Sequence, residues 1–403
     1  MKKFDIPTYY RSPLIGAIKE SRKLQDPRKR DFNPTLLQVG DVTFVLPRHF
    51  GFCYGVENAI EVSYKAITEN PGKPLYLLSE MIHNPAVNDD LQRLGIRFIL
   101  NTEGEQLIPW ETIQAGDVVI TPAFGTTVEI AKMLQDKGVE TATYNTTCPF
   151  VEKVWKRSSE IGQSGYTIII HGKYKHEETR ATFSHSQVNA PSVIVRDMTE
   201  AASLTAYIRG EKSQAEFEVE FKDKFSPHFD IAKDLARIGV VNQTTMLATE
   251  TQEIADFLKG IITSHFDDTS CFIDTRDTLC YATNDNQSAT LAALQHGADL
   301  ALVVGGYNSS NTSQIVTILG QGMPSYFICD ESELLSKEQI RHFDYPSHSL
   351  LSTKEWMPEG PFKLVLTSGA SCPDVVLEAV MRKVLHLRGI EENQLTEATS
   401  HFG

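Results

Sequence analysis

The sequence predicts an α/β protein made of three pseudo-equivalent α/β units facing one central cavity. Two observations carry this expectation. After about residue 41, short β-branched runs alternate with amphipathic stretches, the pattern of a parallel sheet with crossover helices. In addition, three segments begin with a cysteine that follows an extended run and opens a helix-like stretch: FCYGVENAIEVSYKAI from Phe52, TCPFVEKVWKRSSEIG from Thr147 and LCYATNDNQSATLAAL from Leu279. Self-similarity of this kind marks a repeated structural unit before any residue has been given a role.

Residues 1–40 precede the repeats as a basic N-terminal extension. In the first unit, 41–146, Cys53 sits between Gly51 and Gly55 at a strand-to-helix corner, where a helix N-terminus favours a thiolate. A small buried hydrophobe is the alternative reading of such a cysteine. The helix leads to the strand PLYLLSE and the loop MIHNP, which holds His83. In the second unit, 147–278, Pro149 follows Cys148 and suits a first helical turn; the strand YTIIIHG and the loop KYKHEET come next. This unit carries extra length, an insertion near 205–235 containing the charged stretch GEKSQAEFEVEFKDKFSPHFD. The third unit, 279–390, runs from Cys280 through LALVVGG to the loop YNSSNT, and 391–403 form a C-terminal tail.

The steps from cysteine to loop agree: 83 − 53 is 30, 176 − 148 is 28 and 310 − 280 is 30. Each loop then opens a second helix-like stretch and a second strand (RFIL, SVIVRD, SYFICD), and a third strand ends in TPAFGTT, VVNQTT or LTSGAS. In open α/β sheets ligands bind outside the carboxyl ends of the strands, where these loops belong. Units facing one another would bring one cysteine from each to a shared cavity.

Composition narrows the function. The 403 residues carry 38 basic and 52 acidic side chains, net −14, which argues against non-specific binding to nucleic acid or anionic lipid. No apolar run approaches the roughly 18 residues of a membrane helix. The N-terminal stretch lacks a secretory h-region, and Asp5, Glu20, Asp26 and Asp31 fit poorly with a transit peptide, so a cytoplasmic protein is expected. Six cysteines (53, 148, 271, 280, 329 and 372) show no CxxC pair, and in a reducing compartment they would be core, catalytic or ligating residues.

Three thiolates from separate units suit either zinc with an added histidine or a cubic iron–sulfur cluster with one iron left without a cysteine. Cys271, Cys329 and Cys372 occupy no matching repeat position and read as structural. Asn308, Ser309, Ser310, Asn311 and Ser371 offer the donors that hold phosphate at helix N-termini, or else act as caps. His83 would bind phosphate, cap or pack. His176 with Glu178 at a strand end can deliver protons, unless the KHEE run is merely solvated. Thr244 and Thr245 would relay a proton or bind a hydroxyl, or reflect β-propensity alone. No GxGxxG or GxxxxGK[ST] pattern occurs in GVVNQTT or VVGGYNSS, so electrons for any reduction would come from outside.

At these motifs the chain resembles 4-hydroxy-3-methylbut-2-enyl diphosphate reductase, the family that completes the methylerythritol phosphate route to isoprenoids. The resemblance spans about residues 42–390 and rests, in order, on GFCYGVENAI, EMIHNPAVN, NTTCPFVEKV, HGKYKHEET, NQTTM, CYATNDNQ, VVGGYNSSNT and TSGASCPD. It implies a trefoil of three α/β units around one 4Fe–4S cluster ligated by Cys53, Cys148 and Cys280, with one open iron for the substrate hydroxyl. It also implies Glu178 as proton source with His176 and Thr244 or Thr245, and a diphosphate held by His83, Ser309, Ser310, Asn311 and Ser371. The implied reaction is reductive dehydroxylation to isopentenyl and dimethylallyl diphosphates, with ferredoxin or flavodoxin as donor.

One departure stands out. Many bacterial members have a histidine that helps bind diphosphate where this chain has Phe124 before Gly125; Thr126 or Thr127 would substitute for it. The PAFG form, the extension and the length near 400 are similar to the cyanobacterial and plant branch. The extension's charge would suit an acidic ferredoxin; otherwise it is a disordered arm.

Overall fold

A computed structural model describes residues 4–273 and 278–402. Its strands are β1 (Thr35–Val39), β2 (Val42–Leu46), β3 (Leu75–Leu77), β4 (Ile96–Phe98), β5 (Val118–Ile120), β6 (Thr167–His171), β7 (Ser192–Val195) and β8 (Ile238–Asn242). They continue with β9 (Phe272–Ile273), β10 (Leu300–Val304), β11 (Ser325–Ile328), β12 (Gln339–Asp344), β13 (Ser349–Lys354) and β14 (Phe362–Ser368). Three sheets result, in the orders β4-β3-β5, β7-β6-β8-β9 and β1-β2-β14-β10-β11-β12-β13.

The repeat seen in the sequence is visible in this topology. In every sheet the first strand of a repeat lies between the second and the third, in parallel: β3 between β4 and β5, β6 between β7 and β8, β10 between β11 and β14. Parallel pairing follows from the helices that return the chain between successive strands. The central strands β3, β6 and β10 are buried along their whole length, as strands covered on both faces must be. Gly172 and Gly305, just after β6 and β10, leave room for a threonine of the next helix in the second and third repeats. A Cβ on either would stand 2.6 Å from the hydroxyl of Thr179 or Thr312, in the helix that follows.

The chain divides into two compact units. One comprises Met1–Glu57, His83–Asp89 and Tyr281–Gly403 and contains the seven-stranded sheet. Here β2 runs parallel beside β14, and β1 forms an antiparallel hairpin with β2 at the edge. The N-terminal extension is folded. Ser12 caps the helix Pro13–Gln25 by accepting from the Ile15 N–H at 2.9 Å, and Ile15 and Ile18 join the core with Leu37, Phe44, Leu364 and Met381. This rules out the disordered-arm reading. Because Ile15 is fully buried, Ile15→Ala is expected to cost about 2–5 kcal/mol in urea unfolding. An unchanged unfolding midpoint would mean that the helix packs only superficially.

The other unit comprises Asn58–Ile82 and Asp90–Cys280 and contains the two smaller sheets. The charged insertion is ordered here as the helix Gln214–Glu220, opened by a Ser213/Glu216 capping box. Phe217, Phe221, Phe225 and Phe229, four residues apart, fall on one side of this segment. Phe217 stacks on Phe221 at 5.0 Å and on Phe229 at 5.2 Å between ring centroids. No described helix is long and apolar enough to cross a membrane.

Candidate functional site

Each repeat cysteine immediately precedes a helix: Cys53 the helix Tyr54–Glu69, Cys148 the helix Pro149–Gln163 and Cys280 the helix Tyr281–His296. Each also donates its backbone N–H to a carbonyl in the loop after the third strand of a different repeat. Cys53 donates to Ala370 at 3.2 Å, Cys148 to Ala123 at 3.0 Å and Cys280 to Thr244 at 3.4 Å. The third repeat's loop thus holds the first cysteine, the first repeat's loop the second, and the second repeat's loop the third. This cyclic pattern pins every cysteine turn at the carboxyl end of a parallel strand. All six cysteines are free thiols.

In the unit with the two smaller sheets, the charges of Cys280 and Glu178 both reach the Cys148 thiol. Cys148 occupies the N-cap position, with Pro149 in the first turn. Burial pushes its thiol up to about 11, and negative charge on Cys280 and Glu178 pushes in the same direction. Glu178 is 1% exposed, in the first turn of the helix Glu177–Gln187. One carboxyl oxygen accepts from the Thr244 N–H at 2.5 Å and the other from the Thr244 hydroxyl at 3.0 Å. Thr244 therefore grips the carboxyl twice while its carbonyl holds the Cys280 turn. His176 is the N-cap of the same helix, and its Nδ1 accepts from the Glu178 N–H at 3.2 Å. A neutral ring in this bond carries its proton on Nε2.

The two threonines of the NQTT loop diverge. Thr245 accepts from Gln243 Nε2 at 2.8 Å, and Gln243 Oε1 in turn accepts from the Thr179 hydroxyl at 3.0 Å and the Lys173 N–H at 3.1 Å. Gln243 is a positioning residue that sequence reading missed; a polar residue inside a strand-end motif carries no mark of which neighbour it will brace. Phe124 meets the His176 ring edge-on, centroids 5.4 Å apart. Thr127 caps the helix Val128–Asp136 through its hydroxyl, and the Thr126 carbonyl hydrogen-bonds the His185 ring at 3.2 Å.

The unit with the seven-stranded sheet gathers Cys53, His83 and the NSSN and SGAS loops. Ser371 Oγ donates to the His83 carbonyl at 3.0 Å, and Asn311 Oδ1 accepts from the Ala370 N–H at 2.9 Å. Ala370 is the residue whose carbonyl holds Cys53, so these loops brace one another. Ser309 caps the helix Ser310–Leu319, its Oγ accepting from the Thr312 N–H at 3.2 Å. His83, Ser309, Ser310, Asn311 and Ser371 are buried, whereas Asn308 is exposed. The Asn311 Nδ2 is buried without a hydrogen-bond partner, a costly state that a bound acceptor would relieve. Cys372 lies fully buried in the core, and Cys271 is also buried.

Comparison with known proteins identifies the family. Residues 44–385 match the family described as LytB protein. A 4-hydroxy-3-methylbut-2-enyl diphosphate reductase of Cyanothece sp. is 37% identical over 384 residues, covering 94% of this chain and 90% of the relative. One of the same name from Crocosphaera subtropica is 38% identical over 381 residues, again covering 94% and 90%. Among solved structures, the E-1-hydroxy-2-methyl-but-2-enyl-4-diphosphate reductase of Plasmodium falciparum shares the fold with a TM-score of 0.62. It is 21% identical and covers 85% of this chain and 87% of its own. From the cysteine-led repeat to the full-length relatives, the chain belongs to the LytB family, the family of these diphosphate reductases.

Proposed function

We propose that this protein reduces (E)-4-hydroxy-3-methylbut-2-enyl diphosphate to isopentenyl and dimethylallyl diphosphates, the last step of the methylerythritol phosphate pathway. In this reaction two electrons and two protons remove the allylic hydroxyl as water. The observation that carries the reading is the Glu178 carboxyl, buried, held at both oxygens by Thr244 and close enough for its charge to act on the Cys148 thiol.

The donor set fits an iron–sulfur cluster. Burial, with negative charge on Cys280 and Glu178, raises the proton affinity of the Cys148 thiol, and a cationic metal group is what would keep such a thiol deprotonated. Cys53, Cys148 and Cys280 would be its ligands. When bound, a 4Fe–4S cluster with three cysteines supplies electrons one at a time and a Lewis-acidic iron at its open position.

The chain's own residues do the rest. Glu178 holds a proton for the leaving hydroxyl, and Thr244 fixes the direction in which it is offered. His176, with Nδ1 engaged at its own helix N-terminus, presents Nε2–H as a further donor. Ser309, Ser310, Asn311, Ser371 and His83 hold the diphosphate, with the unpartnered Asn311 Nδ2 as one ready donor. The donor of electrons is ferredoxin or flavodoxin, and the compartment is the cytoplasm.

An anaerobic assay of the reconstituted protein with the hydroxylated allylic diphosphate and a reduced one-electron donor tests this. Both five-carbon diphosphates should form, and only with reductant present, which also separates the reaction from that of an iron–sulfur hydro-lyase. No turnover from protein shown to hold four irons would end the reading. Within it, Thr244→Val should lower kcat roughly tenfold by removing one of the two hydrogen bonds that orient the Glu178 carboxyl. Thr245→Val should change it far less; equal losses would mean that Thr244 does not orient the acid.

A further inference from the structure

We propose that the basic face formed by the helix Pro13–Gln25 and the loop after it, beside Cys53, is the docking surface for an acidic one-electron carrier protein. The proposal rests on the reductase reading and specifies the partner of that same site.

A cavity of about 200 Å³ opens on this face, and its walls include Lys19, Lys23, Lys29, Arg48, Tyr281 and Cys53 itself. Residues 19–30 carry six basic side chains (Lys19, Arg22, Lys23, Arg28, Lys29, Arg30) and two acidic ones (Glu20, Asp26), a local net of +4 in a chain of net −14. Arg48 is 8% exposed, and its Nε has no hydrogen-bond partner. Its other donations are two long ones, at 3.4 Å, to the carbonyls of Arg22 and Asp26. The field is felt inside the cavity: burial lowers the His49 ring to about 4, with Arg48, Lys29 and Lys19 adding to the push and Asp26 opposing it.

Acidic groups offset this face only in part. Lys19 pairs with Asp374 at 2.6 Å, Arg22 with Asp31 at 3.0 Å, Lys23 with Glu20 at 3.0 Å, and Asp285 stands in the cavity wall. The Lys23 pair is solvent-exposed, with both side chains at 59%, and such pairs exchange readily for a partner's carboxylates. A protein is favoured over a small anion because the cations extend past the cavity. Arg28 and Arg30 are exposed outside it, and Leu24, 75% exposed among these charges, offers an apolar contact.

The chemistry asks for such a surface. Loss of the hydroxyl as water consumes two electrons and two protons, so two reduced carriers are each oxidised by one electron per turnover. Nothing in the sequence marks a flavin or nucleotide site to store that pair. A carrier seated over the cavity would face Cys53, and complementary charge would speed its arrival.

The test measures binding of a plant-type ferredoxin to the holoprotein by calorimetry at low and high salt, alongside turnover driven by ferredoxin and by reduced methyl viologen. Lys23→Glu, Arg28→Glu and Arg30→Glu combined should weaken ferredoxin binding by roughly tenfold or more and flatten its salt dependence, leaving viologen-driven turnover undiminished. Arg28→Gln with Arg30→Gln, a milder change of two exposed groups, should weaken binding less and in the same direction. Ferredoxin affinity equal to that of the unmodified protein in both variants would overturn the proposal. So would inorganic phosphate that binds the cavity while ferredoxin is indifferent to the charge reversal. If viologen drives no turnover in the unmodified protein, the reductase reading fails, and calorimetry still decides the docking surface on its own.

Discussion

Glu178→Gln is expected to lower turnover by about 10²- to 10⁴-fold, the usual worth of a positioned proton donor, while iron content and the visible spectrum stay unchanged. Glutamine has nearly the same shape, so the helix Glu177–Gln187 and its His176 cap have no reason to move. The chemistry is lost for two reasons. An amide cannot hand over the proton, and of the two oxygens that Thr244 grips only one would remain an acceptor. The amide nitrogen would then face either the Thr244 N–H or its hydroxyl. Only the hydroxyl can turn to accept, so the side chain should settle with its oxygen on the backbone. Because the residues proposed to hold the diphosphate lie on other loops, KM should change much less than kcat. Full activity in this variant would remove Glu178 from the proton path.

Cys148→Ser should strip or destabilise the cluster and take activity to background, whereas Cys372→Ala should retain both. The contrast is the informative part. Cys148 stands at a helix N-cap position without a side-chain bond to the helix, feels the charges of Cys280 and Glu178, and has its thiol raised to about 11, a shift that a cationic cluster would reverse. A serine hydroxyl is a much weaker acid and a harder ligand, so the substitution would remove a bond to the proposed cluster. Cys372 is also buried, but it packs with Leu377, Phe50 and Leu366 in the core of the seven-stranded sheet. Losing its sulfur should cost stability and no iron. Iron and sulfide analysis with the visible spectrum decides the matter; equal iron in the two variants would overturn the ligand assignment.

The three-sheet α/β architecture was legible in the chain. Apolar runs at strand length, a polar loop 28–30 residues after each repeat cysteine and a cysteine before each first helix are local signals, and they repeat because each repeat builds the same second–first–third strand arrangement. The same locality explains what stayed hidden. The Phe217–Phe229 ladder was masked by the lysines and glutamates between its rings, which made the insertion read as charge alone. Of two adjacent threonines, which one reaches Glu178 depends on the backbone at the end of β8, and TT reads the same either way.

Only the tertiary structure decided where the N-terminal segment goes. Its isoleucines are buried in a core completed by residues more than 300 positions later, and β2 finds its parallel partner in β14. The hydrogen bonds from Cys53 to Ala370, Cys148 to Ala123 and Cys280 to Thr244 likewise join segments that no local period connects. The sequence by itself determined the repeated unit and the residue types at its strand ends, because periodicity and composition are properties of neighbours along the chain. Which of those residues touch, and that a basic helix stands beside Cys53, were decided by contacts between segments remote in sequence.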